Sequence, residues 1–376
     1  MQKPKLRQSE LHLVIPGICG PLSDVRSLES NREISRWIKT LARAQTLKPS
    51  PSETLNNAND VISAITGLDV EQDFPAAVLT MMANDAYDES LRYMHADPVH
   101  MRAELDHAIL TSADDLAISK DESEALLYSL NKHFEADGLA FISIDEDRWV
   151  ISSRDKISLS TTPLVDSVGR NVNFILPEGE GSGYWRQVLT EIQMLMHSHE
   201  VNLDRERRGQ LTINSVWFHG SGELTENQGD AAFMCCSNQD ILKGLSKHLS
   251  CKYLDRPDTV DDYMKSLLTG GNAVSAGSEK NAERVKTSNI LHLAELESLV
   301  NYSDVEPWLK QLNETLNNWV YPLISFSNKN NINLIIYPCN SRRYHFSKYD
   351  PLKFWRNRLK KNSLDQYVGS YTTITR

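Results

Sequence analysis

The densest concentration of reactive side chains runs from His197 to Gly222. It holds His197, His199, Glu200, Asn202, Arg205, Arg207, Arg208, Asn214 and His219, then the turn Gly220-Ser221-Gly222. A guanidinium presents a planar fork of donors that fits phosphate or carboxylate, which makes Arg205 a candidate anion anchor with Arg208 beside it. His199, Asn202 and Asn214 are candidate partners for a ligand's oxygens, and Gly220 and Gly222 would let backbone amides approach it. A solvated charged loop with a structural turn accounts for the same residues. The pair His197 and His199 has the alternation that puts two imidazoles on one metal. Here it falls at the end of a predicted helix, where hydrogen-bonded or cationic histidines are common, so no residue is assigned as a metal ligand. Asp97-Pro98-Val99-His100 sets a carboxylate and an imidazole three residues apart, a pattern open to acid–base work and equally to an ordinary turn and cap. Lys243-Gly244, on a later helix, and Ser50-Pro51-Ser52-Glu53 are weaker candidates.

These residues need elements to position them. Leu11–Ile15 reads as a buried strand ended by Pro16-Gly17. Ser30–Ala44 carries Ile34, Trp37, Ile38 and Leu41 on one helical face. Ser52 is a plausible cap for a helix through Leu55, Ala58 and Ile62 to Gly67, and Pro75 suits the first turn of a helix over 76–84. Leu91–Met94 predicts a short strand. Ser119 and Glu122 form a capping box for a helix over 119–137, with Leu126, Leu127, Leu130 and Phe134 inward. A hairpin over 139–152 and a long helix over 184–198 follow. Beyond residue 200 the pattern alternates: strands at 213–219, 231–236, 290–293 and 333–337, with helices at 239–249 and 306–325. Such alternation predicts an α/β fold with a mixed, mostly parallel sheet. The tail 354–361 is basic and amphipathic, and Asn328–Asn333 reads as a loop.

Composition narrows the classes. The 376 residues are 40% hydrophobic and 24% charged, ordinary for a globular protein of one large or two modest domains. A net charge of −10 disfavours nucleic-acid or membrane-surface partners. No apolar run approaches the roughly 20 residues of a membrane span. Five scattered cysteines without a CxxC pair fit reduced thiols rather than a cysteine zinc site. With an apolar stretch after residue 10 too short for a leader core, a cytoplasmic location is expected.

His199-Glu200-Val201-Asn202 followed by Arg205, Gly209, Asn214 and Gly220-Ser221-Gly222 resembles a signature of archaeal-type cofactor-independent phosphoglycerate mutases, members of the alkaline phosphatase superfamily. Ile241-Leu242-Lys243-Gly244-Leu245 resembles that family's next helix. Leu13–Gly17 is similar to its first strand, Ser52-Glu53 to its nucleophile turn, and His345 with Asp350-Pro351 to its closing segment. A likeness to bacterial RpfE-type regulatory proteins covers more of the chain: Ala96–Met101, Glu124–Leu127, Arg148-Trp149, Gly169–Val172 and Glu191–Asn202.

The resemblance implies an alkaline-phosphatase-like α/β sandwich, with residues 1–94 and 201–376 as the core and 95–200 as an inserted smaller α+β domain. It assigns Ser52 and His345 as the weak catalytic candidates. It implies a substrate or anion site at His199, Asn202, Arg205, Asn214, Gly220, Gly222 and Lys243, with Asp97 and His100 nearby. The departures matter as much. Those mutases use a dinuclear metal centre to polarise phosphate and activate a serine. Where they carry its ligands, this chain has Pro16-Gly17-Ile18, Glu295–Asn301 without histidine, and Pro338-Cys339-Asn340. Hard divalent ions prefer carboxylates, so no intact dinuclear site and no cofactor are expected. The first expectation is therefore a catalytically degenerate, mutase-like protein with a regulatory or ligand-sensing role, whose partner is an anionic small molecule or a protein. An active phosphomutase or phosphatase with a rearranged divalent-metal site and a structural interaction module are the alternatives.

Overall fold

The computed structural model describes residues 9–20, 31–47, 53–103, 108–111, 116–225, 233–269, 288–300 and 305–347. Ser52, Asp350-Pro351 and the basic tail lie outside the described residues. Contacts divide the chain into two compact units, Met1–Leu68 with Asn227–Leu242 and Leu249–Arg376, and Asp69–Glu226 with Lys243–His248.

The first unit is α/β. Its seven-stranded sheet has the order Lys252–Asp255, Phe233–Ser237, Ser288–His292, Glu10–Val14, Asn333–Tyr337, Arg343–Phe346, Gln45–Leu47. The first five strands are parallel and the last two antiparallel, which meets the expectation of a mixed, mostly parallel sheet. Leu11–Ile15 is fully buried along its length, as a parallel strand covered on both faces requires. The helix Arg32–Arg43 starts where the Asn31 side chain accepts from the Glu33 and Ile34 amides, and it buries Ile34, Trp37, Ile38 and Leu41. The helix before Gly67 is capped by Asn57 and spans Ala58–Thr66. The single helix expected over 306–325 is instead two, Val305–Thr315 and Tyr321–Asn330, joined by a π turn over Leu316–Val320. Pro322 is the physical reason: it has no amide to donate to the preceding turn, and the ladder widens around it. The second helix runs on through Asn330 and ends at Asn331 in the left-handed conformation, so most of the Asn-rich stretch is helix end rather than loop.

The second unit is an antiparallel sheet with helices, and it is wider than the segment 95–200. Its strands order as Ala108–Thr111, Arg92–Ala103, Arg148–Ser153, Ala140–Asp145, and Ser215–His219 also pairs with Arg92–Ala103. That last pairing draws 215–219 into this unit. One sheet face, with Met94, Ala96, Trp149, Ile151, Val216 and Phe218, packs against Leu126, Leu130, Trp185 and Ile192 of the helices Lys120–Phe134 and Ser182–His197. The capping box of Ser119 and Glu122 forms as expected. On the other face Tyr93 and Val150 join the helix Ala76–Ala83, and Val99 and Trp217 join Leu110, Val172 and Ile175. His95 and Asp97 fall between these two apolar clusters on the same strand face. Among the described residues no helix is long and apolar enough to cross a membrane.

Candidate functional site

The strand Arg92–Ala103 runs straight through Asp97-Pro98, where the sequence predicted a turn. In a strand, residues two apart share a face and residues three apart do not. Asp97 is consequently parted from His100 and paired with His95. The register then places His219 directly opposite His95, and the two imidazoles stack with centroids 4.7 Å apart and planes 8° from parallel.

Asp97 is the hub. Its Oδ1 accepts from the Trp149 amide at 2.9 Å, and its Oδ2 meets His219 Nε2 at 2.8 Å. His95 Nδ1 lies 3.7 Å from Asp97 Oδ1, beyond hydrogen-bond reach. The far nitrogen, His95 Nε2, meets Thr80 Oγ1 of the helix Ala76–Ala83 at 3.1 Å. His95 Nδ1 is buried and makes no hydrogen bond. Burial on its own would raise the Asp97 carboxyl. The neighbouring His95 charge and the His219 contact outweigh it and hold Asp97 well below the usual carboxylate range. Burial pushes His219 down, opposed by its bond to Asp97. Among the described residues, His95, Asp97 and His219 are the one group of three whose ligating atoms all lie within 4.8 Å of one another.

Near this cluster Gly220 and Gly222 close a turn on the segment 73–77. Gly220 has φ +67° and its amide donates to Thr161 Oγ1, while a Cβ on Gly222 would come 1.8 Å from the Asp73 carbonyl oxygen. Asp73 accepts from the amide and hydroxyl of Ser221 and from Thr161. Its carboxyl is pushed up by burial, against those hydrogen bonds. A cleft of about 180 Å³ opens here, lined by Glu71, Gln72, Asp73, Lys156, Ser221 and Gly222 among others. Three carboxylates, with Glu223, face one lysine in that lining.

The other expected site residues are used to hold the unit together. His199 caps the helix Glu200–Arg207, accepting from the Val201 amide, and its Nε2 contacts Ser129 Oγ at 2.9 Å. Burial pushes the His199 imidazole down. Asn202 is buried and bonded to Met196 and to both backbone groups of Ile213. Asn214 grips both backbone groups of Met101, and His100 Nδ1 meets the Thr212 carbonyl at 2.8 Å. Arg205 is 1% exposed. Its guanidinium donates to the Leu211 carbonyl at 2.7 Å, to Glu122 at 2.8 Å and to the Leu116 carbonyl. With the fork filled by the chain's own acceptors, Arg205 is a buried clamp rather than a cavity-facing anchor, and Asn202 and Asn214 likewise bond to main chain. Lys243 is half-buried in the helix Asp240–His248. His345 stands between Ile335 and Gln45 in the first unit's sheet.

At the carboxyl end of the first unit's parallel strands, Arg256 forms an ion pair with Glu295. The Trp308 indole donates to the Gly17 carbonyl at 2.9 Å. His292 is buried with Ser237 Oγ 3.5 Å from its Nδ1, and burial, then the Arg256 charge, push it down to about 4.

No protein-family model matches the chain. The 2,3-bisphosphoglycerate-independent phosphoglycerate mutase of Methanosarcina mazei is 26% identical over 163 residues, 40% of each chain. The 2,3-bisphosphoglycerate-independent phosphoglycerate mutase 2 of Methanothermobacter thermautotrophicus is 32% identical over 148 residues, 37% of each. Among solved structures, the cofactor-independent phosphoglycerate mutase of Thermoplasma acidophilum aligns over 90% of both chains at 13% identity with a TM-score of 0.38. The matched part spans about two fifths of these curated relatives' length, and over that part the chain is homologous to archaeal cofactor-independent phosphoglycerate mutases.

Proposed function

We propose that this chain is a phosphoglycerate-mutase relative that has lost dinuclear-metal phosphoryl transfer and acts as a regulatory binding protein. One observation carries the reading: at the carboxyl end of the parallel sheet, Glu295 is tied to Arg256. A two-metal phosphoryl-transfer site needs several free oxygen ligands. A fixed guanidinium opposes a second and third positive charge in the same place. Pro16-Gly17 and Cys339-Asn340, at positions that resemble ligand positions of the mutases, supply no carboxylate either. An RpfE-type regulatory role agrees with this arrangement. Because Arg205 is spent internally, binding falls to the acid-rich cleft at Ser221-Gly222 or to a protein partner. The test is interconversion of 3- and 2-phosphoglycerate with manganese, alongside metal stoichiometry after gel filtration. No turnover and fewer than two bound ions are expected. Manganese-dependent mutase activity, or two retained equivalents, would overturn the proposal.

A further inference from the structure

The cluster on the second unit's sheet has a feature that a purely structural polar knot does not need. His95 Nδ1 is buried, makes no hydrogen bond and lies 3.7 Å from the Asp97 carboxylate. A buried polar atom without a hydrogen bond is one that a ligand can satisfy. We propose that His95 Nδ1, Asp97 and His219 Nε2 bind a single divalent transition-metal ion of the zinc class.

The spacings to the carboxylate suit that ion, and the two imidazoles would turn from their near-parallel stack to bring both nitrogens onto it. Ligands about 2.0–2.2 Å from a tetrahedral zinc lie about 3.3 Å from one another. The observed spacings bracket this value: 2.8 Å from His219 Nε2 to Asp97 and 3.7 Å from His95 Nδ1 to Asp97. Two imidazoles with one carboxylate are the donors of zinc, cobalt or iron(II), whereas magnesium and calcium require more oxygens. The outer contacts are of the kind that orient metal ligands. Thr80 Oγ1 engages His95 Nε2 at 3.1 Å and so holds the ring with Nδ1 toward Asp97. The Trp149 amide holds the carboxylate. His219 gives up the Nε2 proton it shares with Asp97 when it coordinates. Its side chain is 13% exposed, which provides a way in for the ion and for a water as fourth ligand.

These residues are other than Arg256 and Glu295, on which the proposed loss of mutase chemistry rests, so the two stand or fall independently. The test starts from full-length chain stripped with a chelator and titrated with cobalt(II), read by visible ligand-field absorption and by zinc competition. One equivalent of cobalt in a tetrahedral-type spectrum, displaced by zinc, is expected. His219→Gln, checked for folding by circular dichroism, should abolish the spectrum. Thr80→Val leaves all three ligands in place and should weaken binding by about 10–100-fold, as loss of an outer-shell partner does. Absence of a spectrum in the folded wild-type chain would overturn the proposal. So would unchanged binding in folded His219→Gln or, should that variant not fold, unchanged affinity in Thr80→Val.

Discussion

Replacing Arg205 with alanine tests the central correction at the candidate site. Among the described residues Arg205 is the one arginine whose side chain is closed off from solvent, and it satisfies three acceptors at once: the Leu211 carbonyl, the Leu116 carbonyl and Glu122. Alanine removes every donor. The two carbonyls are then left without their guanidinium partner, at about 1–3 kcal/mol for each buried acceptor stranded. Glu122 loses less, because it keeps Arg208 at 2.8 Å and the Ser119 amide at 2.9 Å. The sum, about 2–6 kcal/mol, brackets the about 3–5 kcal/mol usual for removing one partner from a buried pair. Arg208→Ala is the internal control. Its side chain is 48% exposed, and its ion pairs with Glu122 and Asp204 are solvent-screened, so its loss should cost under about 1 kcal/mol. Urea denaturation followed by tryptophan fluorescence gives both values. An Arg205→Ala midpoint within error of that of Arg208→Ala would refute the buried-clamp reasoning. A melting shift with phosphate or 3-phosphoglycerate in wild type that disappears only in Arg205→Ala would return Arg205 to the role of anion anchor.

His292 makes stability depend on pH in a stated direction. Its folded pKa of about 4 lies below the roughly 6.5 of an unfolded histidine, so its contribution is intact above pH 6.5 and is lost as the pH falls from there toward 4. The slope is about 1.4 kcal/mol per pH unit and the total on the order of 3 kcal/mol; His292→Asn should flatten the loss between pH 7 and 5, and an unchanged slope would assign it to other groups. Two glycines should behave oppositely. A Cβ on Gly244 would sit 1.9 Å from the Leu79 carbonyl oxygen, whereas one on Gly183, in the first turn of its helix, meets nothing within 4 Å. Gly244→Ala should therefore cost about 1–3 kcal/mol or more by overpacking, and Gly183→Ala should be neutral or stabilise by up to about 1 kcal/mol; equal melting temperatures would contradict the packing.

The periodic elements were legible because local signals and burial agreed. Ser119 with Glu122 fixed one helix start, and the Ile34-Trp37-Ile38-Leu41 face fixed another helix's orientation. What failed were places where tertiary partners override local signals. Asp97-Pro98 carries the chemistry of a turn, yet the Trp149 amide and His219 satisfy the carboxylate inside a sheet, so the strand continues. Read with the strand's period of two, His95 and Asp97 would have shared a face. The third member, His219, could not be found that way, since only strand register sets it opposite His95. The charged run after His199 looked like a loop because Glu200–Arg207 has almost no apolar face; its helix is held by the His199 cap and by Asn202 and Arg205 facing inward.

That last point gives the residues of the signature a folding role of their own. Asn202 bonds both backbone groups of Ile213, Asn214 both of Met101, and Arg205 the carbonyls of Leu211 and Leu116. Each grips main chain, and together they set the approach of the segment 211–214 to the strand Ser215–His219 that follows it. A side chain that satisfies buried backbone groups is hard to replace, because any smaller or apolar substitute strands them. The same clamps place His219 against His95 and Asp97. Retention of such residues is therefore expected from folding alone, and likeness in this segment carries information about the scaffold before it carries any about the ligand. The chemistry proposed for the unit rests instead on the three side chains that the scaffold brings together, one of whose buried nitrogens makes no hydrogen bond.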